Sequence, residues 1–174
     1  MDTLIARMIR AAKLDVNLYE EVEADSSALG QAMLVVVLAS LAGGIGAISV
    51  HGFSGIFLNV IIALVGWFIW ALLIYFIGTK LLPQPQTKSD VGELLRTIGF
   101  SAAPGIIRII GIIPFLFGIV NIIANVWMLI AMIIAVRQAL DYDSTLRAVI
   151  VCIIGWLISI LIAFLLGAPT FSSM

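Results

Sequence analysis

Five long apolar runs dominate the pattern of hydrophobic and polar residues along the chain. The runs cover residues 29–50, 54–78, 94–113, 114–138 and 147–167. A helix needs about 20 residues to cross a hydrocarbon core about 30 Å thick, and each run has that length. The pattern therefore predicts an all-α fold, a polytopic integral membrane helix bundle whose five transmembrane helices form a domain over residues 29–174.

Two boundaries between these runs are short. His51 and Gly52 form a tight turn between the first two runs, which predicts an antiparallel hairpin. The third and fourth runs are continuous in hydrophobicity, and they are divided at Pro114 because proline interrupts a helix. A re-entrant segment followed by one span is the alternative at this boundary.

Residues 1–28 form a polar N-terminal segment that begins with an amphipathic pattern. Arg7, Arg10 and Lys13 fall on one side of a helix and the apolar residues on the other. This segregation predicts a short helix on the membrane surface, with its cations towards lipid phosphates. A helix docked on the protein's own spans is the alternative.

An acidic run follows this helix. Its four carboxylates are Glu20, Glu21, Glu23 and Asp25. Such a run is typical of a solvated face, and a cation site is the alternative interpretation. Further along, Asp90 and Glu93 predict a cap for the third span, and the polar residues 141–145 predict one for the fifth.

The distribution of cations predicts the orientation. Eight lysines and arginines flank the spans on one side: Arg7, Arg10, Lys13, Lys80, Lys88, Arg96, Arg137 and Arg147. The turns at His51 and Pro114 and the tail from Ala168 carry none. By the positive-inside rule the N-terminus is cytoplasmic and the C-terminus extracytoplasmic.

Composition supports a membrane protein and excludes several functions. Hydrophobic residues make up 63% of the 174 residues, charged residues 11%, and the mean hydropathy is +1.22. No basic patch supports nucleic-acid binding. The single cysteine, Cys152, excludes an intramolecular disulfide.

The third span contains a proline, several small residues and an arginine, three features that a lipid anchor does not need. Pro104 predicts a kink, at which Ser101 could satisfy the freed carbonyl of Phe100, and Pro114 opens the next span. Arg108 is a charge inside hydrocarbon, which costs at least about 2.5 to 3.5 kcal/mol at a helix centre.

Two positions of the Arg108 side chain are compatible with this cost. Snorkelling towards the outer surface is the favoured prediction, since the side chain is long. The alternative turns Arg108 inward, towards Asn121 or Asn125, to form an intramembrane polar site.

Small residues recur every four positions on two of the spans and predict close helix packing. They are Ala39, Gly43 and Ala47 on the first span, and Gly155, Ser159, Ala163 and Gly167 on the fifth. Packing within one chain is the favoured interpretation, and a dimer interface is the alternative.

Chemistry-bearing motifs are not apparent. His51, the single histidine, and Cys152 fall on opposite sides of the membrane in the predicted topology, so a Cys/His device is not expected. Metal-ligand clusters and phosphate-binding glycine loops are also not found. The sequence predicts no catalytic residue, no metal site and no cofactor.

The five-span layout comes with a short acidic N-terminal segment and several local features. These are Gly99-Phe100-Ser101 with Pro104 in the third span, Pro114, and Trp127 in the fourth. Together they resemble the Yip family, the Ypt/Rab-interacting membrane proteins, in its short prokaryotic form. The resemblance covers most of the chain and implies a trafficking-like role. The prokaryotic form of the family implies a bacterial inner or plasma membrane.

Rab-type GTPase binding is not expected from this resemblance. Eukaryotic members carry Asp-Leu-Tyr-Gly-Pro where this chain has Asn17-Leu18-Tyr19-Glu20-Glu21, and the long cytoplasmic tail is missing. The expected partners are the lipid bilayer and other membrane proteins or a second copy. We therefore predict a non-enzymatic membrane-organising or interaction component. An accessory subunit of a larger membrane complex and a small transporter or channel are the alternatives.

Overall fold

The computed structural model describes residues 3–53 and 56–165, except for the side chains of Ser49, His51 and Ala163. Eight α-helices are described: α1 Leu4–Ala12, α2 Val16–Ala24, α3 Leu29–Gly46, α4 Ile48–His51, α5 Ile56–Phe76, α6 Val91–Ser101, α7 Phe117–Ala139 and α8 Thr145–Leu165. Within the described ranges, every regular element is helical.

Five helical stretches are long and apolar enough to cross a membrane. They are Ser26–Gly46, Ile56–Leu81, Val91–Ile112, Pro114–Ala139 and Thr145–Ile162. Each overlaps one of the predicted runs, so the prediction of a five-span helical membrane protein is confirmed. The third stretch is the most buried and lies at the centre of the bundle, in contact with α3, α5 and α7.

The two ends of the bundle differ in polarity. At one end, here the charged end, Gln86 Nε2 in the connection 82–90 donates to Asp143 Oδ2 in the connection 140–144, and α2 accepts hydrogen bonds from Arg96 of α6 and Gln138 of α7. At the other, the apolar end, Gly46 lies against Gly111, and residues 47–53 and 113–116 carry no Asp, Glu, Lys or Arg.

The N-terminal hairpin, which consists of α1 and α2, packs on the charged end of the bundle. Thr3 caps α1 and Asp15 caps α2, each accepting a bond from a backbone N–H of the first turn. Leu14, between the helices, has a φ of 62° and reverses the chain. Leu18, Tyr19 and other apolar residues of the hairpin are fully buried against α6, α7 and α3.

The predicted caps of the third and fifth spans are both present. The Asp90 side chain accepts from the Glu93 N–H, and the Glu93 side chain accepts from the Asp90 N–H, which makes a complete capping box. Ser144 Oγ accepts from the N–H of Leu146 in the first turn of α8. These caps provide hydrogen-bond acceptors for free backbone N–H groups at two helix N-termini near the charged end.

The predicted kink at Pro104 is a change of helix type. The α-helix ends at Ser101, and the chain continues as a 3-10 helix over Ala103–Ile112. Pro104 occupies the start of this segment, where its missing N–H is tolerated. Ser101 Oγ donates to the carbonyl of Ile98, so the prediction that it bonds the Phe100 carbonyl is wrong.

Small residues allow this 3-10 helix to approach its neighbours. Ala39 and Gly43 of α3 face Gly105 and Arg108, and a Cβ on Gly46 would lie 1.9 Å from the Arg108 carbonyl oxygen. In α8, Gly155 faces α5, and Ser159 Oγ bonds to the Gly155 carbonyl. Ala47 is half-buried beyond α3. The Ala163 side chain and Gly167 lie outside the described residues.

Candidate functional site

Arg108 and Asn125 form a polar pair inside the membrane-spanning region. Arg108 Nη2 donates to Asn125 Oδ1. Arg108 precedes the end of its 3-10 helix by four residues, or about 8 Å, whereas Asn125 lies about 12 Å into α7 from the same end. The side chain therefore points away from the apolar end, towards Asn125, and the prediction that it snorkels to the outer surface is wrong.

Asn121, the third residue of the predicted polar site, is not part of this pair. Its Nδ2 donates to the Phe117 carbonyl one turn earlier in α7. A side chain bonded to its own helix is satisfied locally, so Asn121 has no need of Arg108. The structure thus brings together two of the three predicted residues.

The polar pair lines one part of a cavity of about 960 Å³ that extends between α3, α5, α6, α7 and α8. Most of its wall is apolar, and it includes two tryptophans of α5, Trp67 and Trp70, as well as Trp156 of α8. Trp67 donates to the Leu95 carbonyl, which fixes one wall of the cavity. Three lining residues, Leu129, Ile153 and Trp156, are exposed on the outside of the bundle. The cavity is therefore accessible from the surface that faces lipid.

Arg7 lies at the centre of the charged contacts in the N-terminal hairpin. It is 5% exposed, and its Nη2 lies 2.8 Å from Glu21 Oε1 and 2.9 Å from Asp25 Oδ2. Its Nη1 donates to Gln31 in α3. The prediction that Arg7 faces lipid phosphates is wrong, because the acidic run supplies its counterions.

Arg10 is likewise turned towards the hairpin, and it pairs with Asp15 and Glu21. Lys13 is exposed. Two members of the predicted membrane-surface set thus connect α1 to the segment that follows it. The alternative prediction, a helix docked on the protein's own spans, therefore describes α1. Ile5 and Ile9 remain exposed on the outer face of this helix.

A polar recess of about 510 Å³ opens at the charged end. We call it the acidic recess, and its lining residues are Glu20, Gln86, Arg137, Gln138, Asp141, Tyr142 and Asp143. The Tyr142 hydroxyl donates to the carbonyls of Gly78 and Leu82, which anchors the 140–144 connection to the end of the second span.

Neutral groups and the backbone supply the bonds to the recess carboxylates. Gln138 donates to Glu20, Gln86 donates to Asp143, and the Lys88 N–H donates to Asp141. Arg137 donates instead to the backbone carbonyls of Tyr142 and Asp143 and to the Thr145 hydroxyl. Among the described residues, these three carboxylates have no salt bridge, so the recess keeps an excess of negative charge.

Glu23 lies beside this recess and shows the effect of that charge. Burial raises the pKa of Glu23 to about 8, and the neighbouring carboxylates Asp141, Glu93 and Glu20 add to the increase. Arg96 opposes the increase only in part, because its guanidinium donates to the backbone carbonyls of Val22 and Glu23. A neutral Glu23 is therefore favoured in the folded protein near pH 7.

We expect Glu23→Gln to reduce the loss of stability at alkaline pH. A carboxyl whose folded-state pKa is raised contributes stability that is complete below its ordinary pKa of 4.5 and disappears as pH rises through about 8. Between about pH 5 and pH 9, the Tm in detergent should fall more for the wild type than for Glu23→Gln. Asp143→Asn, a recess carboxylate that does not contact Glu23, is the control. Equal slopes for wild type and Glu23→Gln would show that the pKa of Glu23 is not raised.

Sequence reasoning did not identify the acidic recess or the tryptophans of the cavity. The recess joins residues of α2, the 82–90 connection and the end of α7, which are far apart in sequence. The available signal was that each of these segments is polar and that all were predicted on one side of the membrane. No group of three or more His, Cys, Asp or Glu side chains suited to a metal ion occurs in the described part of the chain.

Comparison with known proteins gives a match to a protein family. The model of one family, described as Yip1 domain, matches residues 17–167 and so covers most of the chain. The match includes all five spans and the acidic recess, but it begins after α1. No curated protein and no solved structure gives a significant match.

Proposed function

Because the chain belongs to the Yip1 family, whose members are in general non-enzymatic membrane proteins, we propose that it organises other membrane components by binding a partner protein at its charged end. The partner segment is basic. The acidic recess carries this proposal, since its three carboxylates lack a cationic partner among the described residues.

The rigidity of the recess supports a docking role. Tyr142 anchors one rim to the second span, and Arg96 anchors the end of α2 to α6. Backbone groups held in place before binding lower the entropic cost of ordering an interface. A lysine or arginine from a partner would give Asp141 and Asp143 a cationic donor, so that an ion pair is added to the hydrogen bond.

The orientation is part of the proposal. Eight lysines and arginines at or near the charged end, and none at the apolar end, support a cytoplasmic charged end. The partner is then a cytoplasmic protein or the cytoplasmic part of another membrane protein. An accessory subunit would show the same contact with a constant partner, whereas an organiser would exchange partners.

Site-specific photo-crosslinking in cells tests both the binding of a basic partner segment at the acidic recess and the cytoplasmic orientation of the charged end. A photoreactive residue at Gln86, in the recess, should give a discrete adduct, whereas one at the exposed Lys80 outside the recess should not. Asp141→Asn with Asp143→Asn should reduce the Gln86 adduct roughly fivefold, because each exposed charge contributes about 0.5 kcal/mol and the two together about 1 kcal/mol. Asparagine suits position 141, whose φ is 52°.

The outcomes are distinguishable. A discrete cytoplasmic adduct that depends on the two aspartates supports the proposal. An adduct unaffected by their replacement excludes recognition of a basic segment, and an adduct with an extracytoplasmic protein reverses the orientation. Equal adducts at Gln86 and Lys80 show that the recess is not a specific site.

A further inference from the structure

Two residues that line the intramembrane cavity each carry a buried donor atom with no hydrogen-bond partner among the described residues. The two atoms are Nε1 of Trp70 and Nε of Arg108. A buried donor without a partner costs about 1 to 3 kcal/mol, so native proteins rarely leave one unsatisfied. Two such residues on one cavity indicate a polar site that the described residues leave incomplete.

The charge of Arg108 specifies the sign of that group. Its one described hydrogen bond goes to the neutral amide of Asn125, and the described lining of the cavity contains no carboxylate. A guanidinium within the hydrocarbon region is expensive unless it is paired or hydrated. Its planar fork of donors suits a phosphate or a carboxylate, and the Asn125 amide can add a further donor.

The remaining wall of the cavity specifies an apolar body for the same ligand. Two methionines, a leucine and an isoleucine of α7, tryptophans of α5 and apolar residues of α8 line the cavity, and Gly66 leaves open space. A volume of about 960 Å³ lies at the upper end of the usual range for ligand sites. The ligand is therefore an anionic group attached to a long hydrocarbon chain.

We propose that this cavity binds an anionic phospholipid, with its phosphate on Arg108 and an acyl chain between α5, α7 and α8. The exposed lining residues on α7 and α8 leave a lateral entrance from the bilayer, where such lipids are already present. The site is separate from the acidic recess and does not depend on it.

Native mass spectrometry of the delipidated full chain in mild detergent tests the proposal. Dioleoyl phosphatidylglycerol should bind with a stoichiometry of one and displace dioleoyl phosphatidylcholine. Arg108→Gln should weaken phosphatidylglycerol binding about tenfold, since it removes the charge and keeps a polar side chain. Arg147→Gln, which removes an exposed cation outside the cavity, is the matched control.

A second variant fills the cavity without changing its charge. Gly66→Leu should abolish binding, whereas Gly118→Leu should not, although a Cβ at either glycine would have nothing within 4 Å. Circular dichroism and size-exclusion chromatography verify the folding of each variant. Because leucine is also the better helix former, Gly66→Leu is expected to fold.

Each result bears on the proposal. Loss of phosphatidylglycerol in both Arg108→Gln and Gly66→Leu, with retention in both controls, supports it. Equal binding of the two phospholipids, or retention of phosphatidylglycerol by Arg108→Gln, overturns the anionic assignment. Displacement of phosphatidylglycerol by an equal concentration of oleate shows a fatty-acid site instead.

Discussion

Replacing Gly46 by alanine is expected to destabilise the bundle by about 3 kcal/mol, the upper part of the usual range for an overpacked site. The added Cβ would lie 1.9 Å from the Arg108 carbonyl oxygen and 2.9 Å from its carbonyl carbon. Both atoms belong to the backbone, so a change of rotamer cannot relieve the overlap. The end of α3 must move away from the 3-10 helix Ala103–Ile112. Unfolding of the detergent-solubilised protein by sodium dodecyl sulfate, followed by tryptophan fluorescence, measures the change.

Gly30 provides a matched control in the same helix. Nothing lies within 4 Å of a Cβ at that position, so Gly30→Ala should be neutral or stabilise α3 by up to about 1 kcal/mol. If the two alanine variants unfold alike, the close approach between α3 and the 3-10 helix is not present in solution. Because Gly46 touches the backbone of Arg108, Gly46→Ala should also weaken phosphatidylglycerol binding in the cavity.

The spans and the third-span cap could be predicted because their causes are local in sequence. A run of apolar residues must cross or leave the hydrocarbon, whatever its neighbours do. The capping box of Asp90 and Glu93 needs only a spacing of three residues. The family resemblance also rested on linear features, and the family match over residues 17–167 confirms it.

The change to a 3-10 helix at Pro104 could be predicted only as a kink. The sequence shows that the proline interrupts an α-helix, but the ten residues that follow could return to α-helical geometry. Close contact with Gly46 and Ala39 of α3 favours the narrower helix, and this contact depends on tertiary structure. Local propensity therefore located the interruption without determining its form.

The direction of a long cationic side chain could not be predicted, because distant partners decide it. The Arg108 side chain is long enough for either position, and Asn125, seventeen residues away, determines its orientation. Arg7 was predicted to face lipid because its own helix is amphipathic. Its counterions lie fourteen and eighteen residues away, and a helical projection of α1 does not include them.

Replacing Arg7 by methionine is expected to detach the N-terminal hairpin. Removing one partner of a buried ion pair typically costs about 3 to 5 kcal/mol. The Glu21 and Asp25 side chains are 35% and 31% exposed, so water compensates in part, and we expect a cost of about 2 kcal/mol. The remaining carboxylates would then repel each other across α2. Hydrogen bonds from Ser27 and Arg7 hold the pKa of Asp25 below its usual value, so Asp25 remains charged at neutral pH.

Cleavage by trypsin after Lys13 measures the detachment, since Ala12 is held in the docked state by a bond from the Trp127 indole to its carbonyl, 2.8 Å long. Proteolysis follows the population of the open state when opening is fast, so about 2 kcal/mol corresponds to roughly thirtyfold faster cleavage. Arg147→Met, which removes an exposed cation of α8, should leave the rate unchanged. Arg7→Lys should be intermediate, because one ammonium group cannot reproduce the fork that reaches Glu21, Asp25 and Gln31 together. Cleavage of Arg7→Met at the wild-type rate would mean that apolar contacts of Leu18 and Tyr19 alone hold the hairpin on the bundle.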